Sequence, residues 1–96
     1  MIRKLEWLEV VILRCLIKRH KISIQDIKKE LSNEKCKETV TYHQVYKALK
    51  YLELLGVVET INYKPIIVKA LVPREILYYL TDSWRKLEEY LERKNG

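Results

Sequence analysis

Gly56 separates two stretches of the chain that have different hydrophobic periodicities, and this boundary constrains the fold more than any other feature. Before it, apolar residues recur every three or four positions, as on one face of a helix: Val45, Ala48, Leu49, Leu52 and Leu55. After it, residues 57–61 are mostly β-branched, as in a strand. Glycine readily adopts the left-handed conformation that ends many helices. The sequence therefore predicts a helix over residues 41–55 that leads directly into a strand.

A second strand is predicted over residues 66–72, which are again rich in valine and isoleucine. The turn cluster between the two strands consists of Asn62, Tyr63, Lys64 and Pro65. Two strands joined by so short a segment form an antiparallel hairpin. Pro73 ends this hairpin and suits the first turn of a following helix.

Two helices are predicted in the first part of the chain. Residues 4–19 are apolar over much of the helix circumference, so this helix must contact more than one neighbour. Ser23 can cap the second helix, and Asp26 favours the positive end of its dipole. The second helix ends near Asn33, and the polar residues from there to Val40 form a connection.

The last helix is predicted over residues 74–94. Its spacings of three and four match a coiled-coil seam over two heptads, formed by Leu77, Leu80, Trp84, Leu87 and Leu91. A seam this short is equally compatible with packing on the protein's own core. The predicted fold class is mainly α with a small β-hairpin, in the order helix, helix, helix, strand, strand, helix. All of it forms one domain, residues 1–96.

The net charge of the chain is +6, and the surplus is unevenly distributed. Residues 1–22 contribute +4 and residues 41–73 contribute +2, whereas residues 23–40 and 74–96 are each neutral. A basic surface attracts phosphates. The helix over residues 41–55 and the hairpin thus lie in a basic segment, which favours an anionic partner.

The predicted location is the cytoplasm. A membrane span would need a run of about 18 apolar residues, which the sequence lacks. Glu6, Glu9 and Arg14 interrupt the segment where a signal peptide would have its apolar core. Charged residues make up 33% of the chain, with many Lys and Glu, which favours a thermophilic source. So short a chain buries a small core, so that dimerisation would add stability.

Residues 40–59 have the sequence VTYHQVYKALKYLELLGVVE. A small or polar start is followed by Val-Tyr-basic, by Leu-x-x-Leu, and by Leu-Gly and three further residues that end in Glu. This pattern resembles the recognition helix and first wing strand of winged-helix transcriptional regulators of the MarR, PadR, ArsR and Fur-like group, and the resemblance covers residues 5–72. It implies a winged helix-turn-helix fold and a dimeric DNA-binding repressor or activator. The last helix resembles the dimerisation helix of PadR-like and related archaeal regulators.

The side chains left outside the apolar face of helix 41–55 also favour DNA binding. They are aromatic, amide and basic with one acid near the end, whereas a solvated face usually alternates charge signs. Glutamine can pair with adenine and lysine with guanine, and the N-terminal residues of such a helix lie nearest the bases. The predicted DNA contacts are Thr41, Tyr42, His43, Gln44, Tyr46, Lys47 and, at the backbone, Lys50. The alternative is an amphipathic helix whose polar face meets only water.

The hairpin tip adds three predicted contacts to a phosphate strand or a minor groove: Asn62, Tyr63 and Lys64. The alternative is an ordinary hairpin turn, in which Asn62 occurs for its backbone tolerance.

A homodimer is predicted from the resemblance and from the apolar first and last helices. Its interface would consist of Leu5, Leu8, Ile12, Leu77, Leu80, Trp84, Leu87 and Leu91. Because related regulators bind effectors between these helices, a small-molecule effector is an open alternative.

No enzymatic activity, metal or cofactor is predicted, since the sequence contains no catalytic motif or phosphate-binding loop. His20 and His43 lie far apart in the sequence and lack the further ligands of a Fur-like metal site. Cys15 is expected to be buried and Cys36 to be exposed in a loop. A disulfide between them, or a Cys36 cross-link between subunits, stays open.

The predicted function is therefore sequence-specific binding of double-stranded DNA by a homodimeric transcription regulator. Helix 41–55 would enter the major groove, and residues 57–72 would form the wing on the backbone or the minor groove. The alternative is a winged helix that binds only proteins, and non-specific DNA binding is a third hypothesis. Salt dependence separates DNA binding from an apolar protein interface, because phosphate contacts weaken steeply as salt rises.

Overall fold

The computed structural model describes residues 5–33 and 40–82 of the chain. Within these ranges the elements are α1 (Trp7–Lys18), β1 (Lys21–Ser23), α2 (Ile24–Asn33), α3 (Tyr42–Leu54), β2 (Val58–Tyr63), β3 (Ile66–Ala70) and α4 (Arg74–Asp82). The described part is thus mostly helical, with four helices and one antiparallel sheet in the strand order β1-β3-β2. The remainder of the predicted last helix, residues 83–94, lies outside the described residues.

Strand β1 corrects the predicted element order, which has no strand between the first two helices. Its residues pair antiparallel with β3, so that Lys21 is opposite Lys69 and Ser23 is opposite Ile67. Three residues are too few to show a strand period. Because pairing with a distant strand stabilises β1, local propensity does not reveal it.

A bulge in β2 determines which of its side chains face the helices. The register against β3 shifts between Thr60 and Asn62, which leaves Ile61 as an extra residue. Side chains alternate between the faces of a strand, so an extra residue exchanges the two faces for everything that follows. Tyr63 is consequently opposite the fully buried Ile66, on the helix side of the sheet.

The predicted turn between the strands is too long. Asn62 and Tyr63 belong to β2, so only Lys64 and Pro65 separate β2 from β3. Pairing with β3 overrides the turn propensity of Asn62, which is typical of strand residues whose partners lie in another segment.

Gly56 ends α3 as predicted, with a φ of +76°. Its N–H donates to the Glu53 carbonyl at 2.9 Å, and the Val57 N–H donates to the Leu52 carbonyl at 3.3 Å. These two bonds form a Schellman motif, which needs a left-handed residue at this position. Strand β2 starts at Val58 and contacts α3, so the short connection holds helix and hairpin together.

The core surrounds α1, which contacts α2, α3, α4 and β1 and so confirms that this helix has several neighbours. Its own fully buried side chains are Val11, Ile12, Leu13 and Leu16. The other helices contribute Ile27, Leu52 and Leu77 to the same core. Cys15 is buried, as predicted, and Cys36 lies outside the described residues.

The predicted cap of α2 is confirmed by its hydrogen bonds. The Ser23 N–H donates to the Asp26 carboxylate at 2.8 Å, and the Asp26 N–H donates to the Ser23 hydroxyl at 3.4 Å. The first of these bonds is the main reason why the pKa of Asp26 lies below its ordinary value. Arg19 adds an ion pair to the same carboxylate at 3.3 Å.

Candidate nucleic-acid interface

The exposed side of α3 carries a line of side chains that we call the outer stripe: His43, Lys47 and Leu54. Successive residues of a helix are about 100° apart, so residues at these spacings lie along one line. The buried side chains of α3 lie on the opposite side, and they are Val45, Ala48, Leu49 and Leu52. The outer stripe is therefore the part of α3 that points farthest from the core.

His43 and Lys47 are exposed, and neither makes a hydrogen bond or ion pair with another described residue. The one acidic residue of α3 is Glu53, whose carboxylate lies 3.6 Å from the Lys50 ammonium. The N-terminal half of the outer stripe thus presents an imidazole and a free ammonium with no carboxylate on the same helix turn.

Lys50 belongs to a second group of side chains, the tyrosine–lysine cluster, which consists of Tyr46, Lys50, Glu53 and Tyr63. The Lys50 ammonium lies 5.2 Å from the centres of both tyrosine rings, within cation–π range. It also donates to the Tyr63 hydroxyl at 3.1 Å, and this bond raises the pKa of Lys50 above its ordinary value. The rings of Tyr46 and Tyr63 are 6.1 Å apart and tilted by 51°. The cluster joins α3 to the end of β2.

Tyr42 connects the start of α3 to the same strand residue. Its hydroxyl donates to the Tyr63 carbonyl at 2.9 Å. Tyr63 is therefore held by its backbone at one end of α3 and by its ring and hydroxyl farther along the helix. The bulge at Ile61 is what turns the Tyr63 side chain towards α3.

Thr41 and Gln44 form the predicted capping box of α3. The Gln44 N–H donates to the Thr41 hydroxyl at 3.2 Å, and the Gln44 amide oxygen accepts from the Thr41 N–H at 2.8 Å. Bidentate pairing with adenine needs this oxygen as an acceptor. In the free protein, the group predicted to contact a base is thus engaged in capping the helix.

At the hairpin tip, Asn62 donates from its side-chain amide to the Pro65 carbonyl at 2.7 Å and so closes the turn. Lys64 is exposed beside it. Of the three predicted contacts at this tip, Lys64 is the side chain that remains directed to solvent without a contact to other described residues.

The predicted dimer-interface residues divide into two groups. Leu5, Ile12, Leu77 and Leu80 are buried within the single chain, where α1 contacts α4, and Leu8 is half-buried. Trp84, Leu87 and Leu91 lie outside the described residues. The described part of the seam therefore packs on the chain's own core, which is the alternative that the spacing left open.

Three features of this surface do not follow from the sequence arguments above. Glu53 compensates the charge of Lys50, Ile61 turns Tyr63, and Leu54 is 84% exposed on the outer stripe. The position of Leu54 on the outward side of the helix could be predicted from the sequence by a helical projection of residues 43–54. Glu53 lies three positions after Lys50 on the same helix, a spacing at which such ion pairs form. The role of Ile61 depends on the strand register, which no local pattern encodes.

A cleft of about 180 Å³ lies between α1, β1 and α2, with Cys15 at one wall. Four of its five charged side chains form ion pairs across it, Lys18 with Glu30 at 2.8 Å and Arg19 with Asp26 at 3.3 Å, and the fifth is Lys29. Burial raises the pKa of the Cys15 thiol to about 12, so it is protonated near neutral pH and a poor nucleophile. The cleft thus offers paired charges and an inert thiol.

Comparisons of the chain with protein-family models, with curated proteins and with solved structures found no match. In the two described ranges, no three His, Cys, Asp or Glu side chains are placed to hold a metal ion. The helices of these ranges are also too short or too polar to cross a membrane.

Proposed function

We propose that this chain is a winged helix-turn-helix protein that binds double-stranded DNA, with α3 in the major groove and the β2–β3 hairpin as the wing. Three helices with an antiparallel sheet at their edge, and a hairpin directly after the third helix, support this arrangement. Strand β1 fits it as a short third strand beside the hairpin.

The observation that carries the proposal is the N-terminal half of the outer stripe. His43 and Lys47 project from α3 opposite its buried face, unpaired among the described residues, and the first turn of α3 holds no acidic residue. Such a helix face can enter a groove lined with phosphates and present donors to base edges. Lys64 at the wing tip can contact the phosphate backbone.

As a regulator the protein would act as a homodimer, with two α3 helices about 34 Å apart on successive major grooves. Support comes from Trp7 on α1 and Tyr78 on α4, large apolar side chains that are both nearly half exposed on contacting helices. These two side chains, and not the buried leucines of the same helices, would be available to a second subunit.

Equilibrium binding to duplex DNA at several salt concentrations tests the proposal, with random duplex compared to the DNA upstream of the protein's own gene. Lys47→Met should weaken binding and reduce the slope of log affinity against log salt by about 1. The matched control is Lys69→Met, because Lys69 is exposed on the sheet face turned away from α3. Equal binding to both duplexes would support non-specific binding instead, and no binding at the lowest salt would exclude the proposal.

The second candidate is a protein-interaction domain, and Leu54 is the observation that favours it. A leucine 84% exposed on the outer stripe is better suited to an apolar partner than to a phosphate-lined groove. Leu54→Ser would then abolish partner capture with little change in salt dependence. The same substitution should leave DNA binding nearly unaffected if α3 enters the groove by its N-terminal half.

A further inference from the structure

The Lys50 ammonium has an unusually complete set of partners for a residue on the outside of a helix. It lies 5.2 Å from the centres of two tyrosine rings, donates to the Tyr63 hydroxyl and is 3.6 Å from the Glu53 carboxylate. The Tyr63 hydroxyl lies 3.5 Å from the other oxygen of that carboxylate, so the cluster closes on itself. A phosphate could use Lys50 only if the ammonium left these partners.

We propose that Lys50 is a positioning residue for the wing and not a phosphate ligand: in contact with Tyr46 and bonded to the Tyr63 hydroxyl, it holds the hairpin in one orientation on α3. This inference rests on the proposed function, in which helix and wing contact one DNA molecule together. It replaces the expectation that Lys50 lies at the DNA backbone.

Two hydrogen bonds to Tyr63 fix the orientation of the hairpin on α3. The Tyr42 hydroxyl binds the Tyr63 carbonyl at 2.9 Å, and the Lys50 ammonium binds the Tyr63 hydroxyl at 3.1 Å. Tyr42 and Lys50 are eight positions apart, about 12 Å along a helix. Both anchors act on Tyr63, one on its carbonyl and one on its hydroxyl, so they fix the direction of this residue along α3, whereas a single contact would permit it to rotate.

Charge balance separates the lysines of α3 into two kinds. Lys50 faces Glu53, so a phosphate brought near it would meet a carboxylate as well, and few counterions would be released on binding. Lys47 makes no ion pair with a carboxylate among the described residues and would neutralise a phosphate in full. The two lysines should therefore differ in their effect on the salt dependence of DNA binding, although each removal changes the charge equally.

The test uses the full chain with Lys50→Met, which removes the ammonium and keeps a long side chain, and with Lys47→Met as the matched variant. Amide hydrogen exchange of the free protein measures how stably the hairpin is held. The salt dependence of binding to a random duplex measures the number of phosphate contacts. Lys50→Met should speed exchange of the β2 and β3 amides about tenfold, as expected when the cation–π contact with Tyr46 and the hydrogen bond to the Tyr63 hydroxyl are lost. It should weaken DNA binding by a similar factor at every salt concentration, with the slope unchanged.

Lys47→Met should show the opposite pattern, a slope reduced by about 1 and unchanged hairpin exchange. Lys50→Arg should restore the hairpin protection, because a guanidinium also stacks on tyrosine rings and donates to a hydroxyl. Exchange of the α1 amides, unchanged in all variants, would show that the core is intact.

A reduced salt slope for Lys50→Met with unchanged hairpin exchange would overturn the proposal, because Lys50 would then be a phosphate ligand. Failure of the unaltered chain to bind any duplex would end the proposed function and the DNA part of this inference. Hairpin exchange would even then decide whether Lys50 holds the wing, so the two failures are distinguishable.

Discussion

Replacing Gln44 by alanine tests whether this side chain caps α3 or contacts a base. The amide oxygen of Gln44 accepts from the Thr41 N–H at 2.8 Å, one of the N–H groups that a helix start leaves without an intrahelical partner. Losing one such bond costs about 0.5–1.5 kcal/mol. The higher helix propensity of alanine offsets part of this loss, on the order of 0.3 kcal/mol. The expected net loss in the free energy of unfolding is about 0.2–1.2 kcal/mol.

Thermal and urea unfolding followed by circular dichroism measure this loss. For a domain of this size it corresponds to a decrease of roughly 1–10 °C in Tm. Gln44→Glu is the matched control, because a carboxylate keeps the acceptor and lies at the positive end of the α3 dipole. Its stability should equal that of the unaltered chain or exceed it by about 0.3–1 kcal/mol.

Thr41→Ala removes the other half of the capping box and should cost about 1 kcal/mol. Each of the two bonds joins one side chain to the other residue's backbone N–H, which survives the partner's substitution. The double variant measures the coupling between the two bonds, which is about 0.5–3 kcal/mol for residues in one hydrogen-bond network. The capping argument is refuted if Gln44→Ala has the same Tm as the unaltered chain and instead loses discrimination at a single base pair of the duplex.

Three further predictions concern packing and titration. Leu52→Ala, at a fully buried position, should cost about 2–5 kcal/mol in urea unfolding, whereas Leu54→Ala at an exposed one should stay within about 0.5 kcal/mol; similar losses for both would contradict the packing described. The pKa of Cys15 is raised to about 12 in the fold, so its contribution to stability is complete when the pH is below the pKa of an unfolded thiol. That contribution should disappear as the pH rises from about 9 to 12, and a Cys15→Ala variant that loses the same stability in this range would disprove the assignment. Asp26 has a lowered pKa, so its contribution is present above the pKa of a free aspartate and should be lost as pH falls below it; Asp26→Asn should flatten the acid limb of a stability curve against pH.

Local patterns sufficed to predict α3 and its boundaries. The capping box, the apolar spacing and the left-handed glycine are interactions within a few residues, so the sequence contains all that determines them. The cap of α2 at Ser23 and Asp26 was predictable for the same reason. The buried Leu77 and Leu80 were recognisable as apolar, but the spacing was equally consistent with a second subunit or the chain's own α1.

Features that depend on distant pairing were not predictable. Strand β1 has three residues, and its stability comes from β3. The register shift at Ile61 is likewise a property of two strands together, because nothing in the residues 58–63 alone specifies an extra position. This single shift moves Tyr63 from the solvent side to the helix side of the sheet, and the tyrosine–lysine cluster depends on it.

The candidate interface was predicted by residue type, and residue type does not separate a side chain that points outward from one that points sideways. Tyr42, Tyr46 and Lys50 lie on the flank of α3 that meets β2, so an outward-facing pattern and a flank that packs on a hairpin look alike in the sequence. Tyrosine and lysine are suited to both settings, since each combines an apolar body with a polar tip. The hydrogen bonds to Tyr63 decide between these settings. They leave His43 and Lys47 as the α3 side chains best placed to meet a partner, and they assign the flank to holding the hairpin in place.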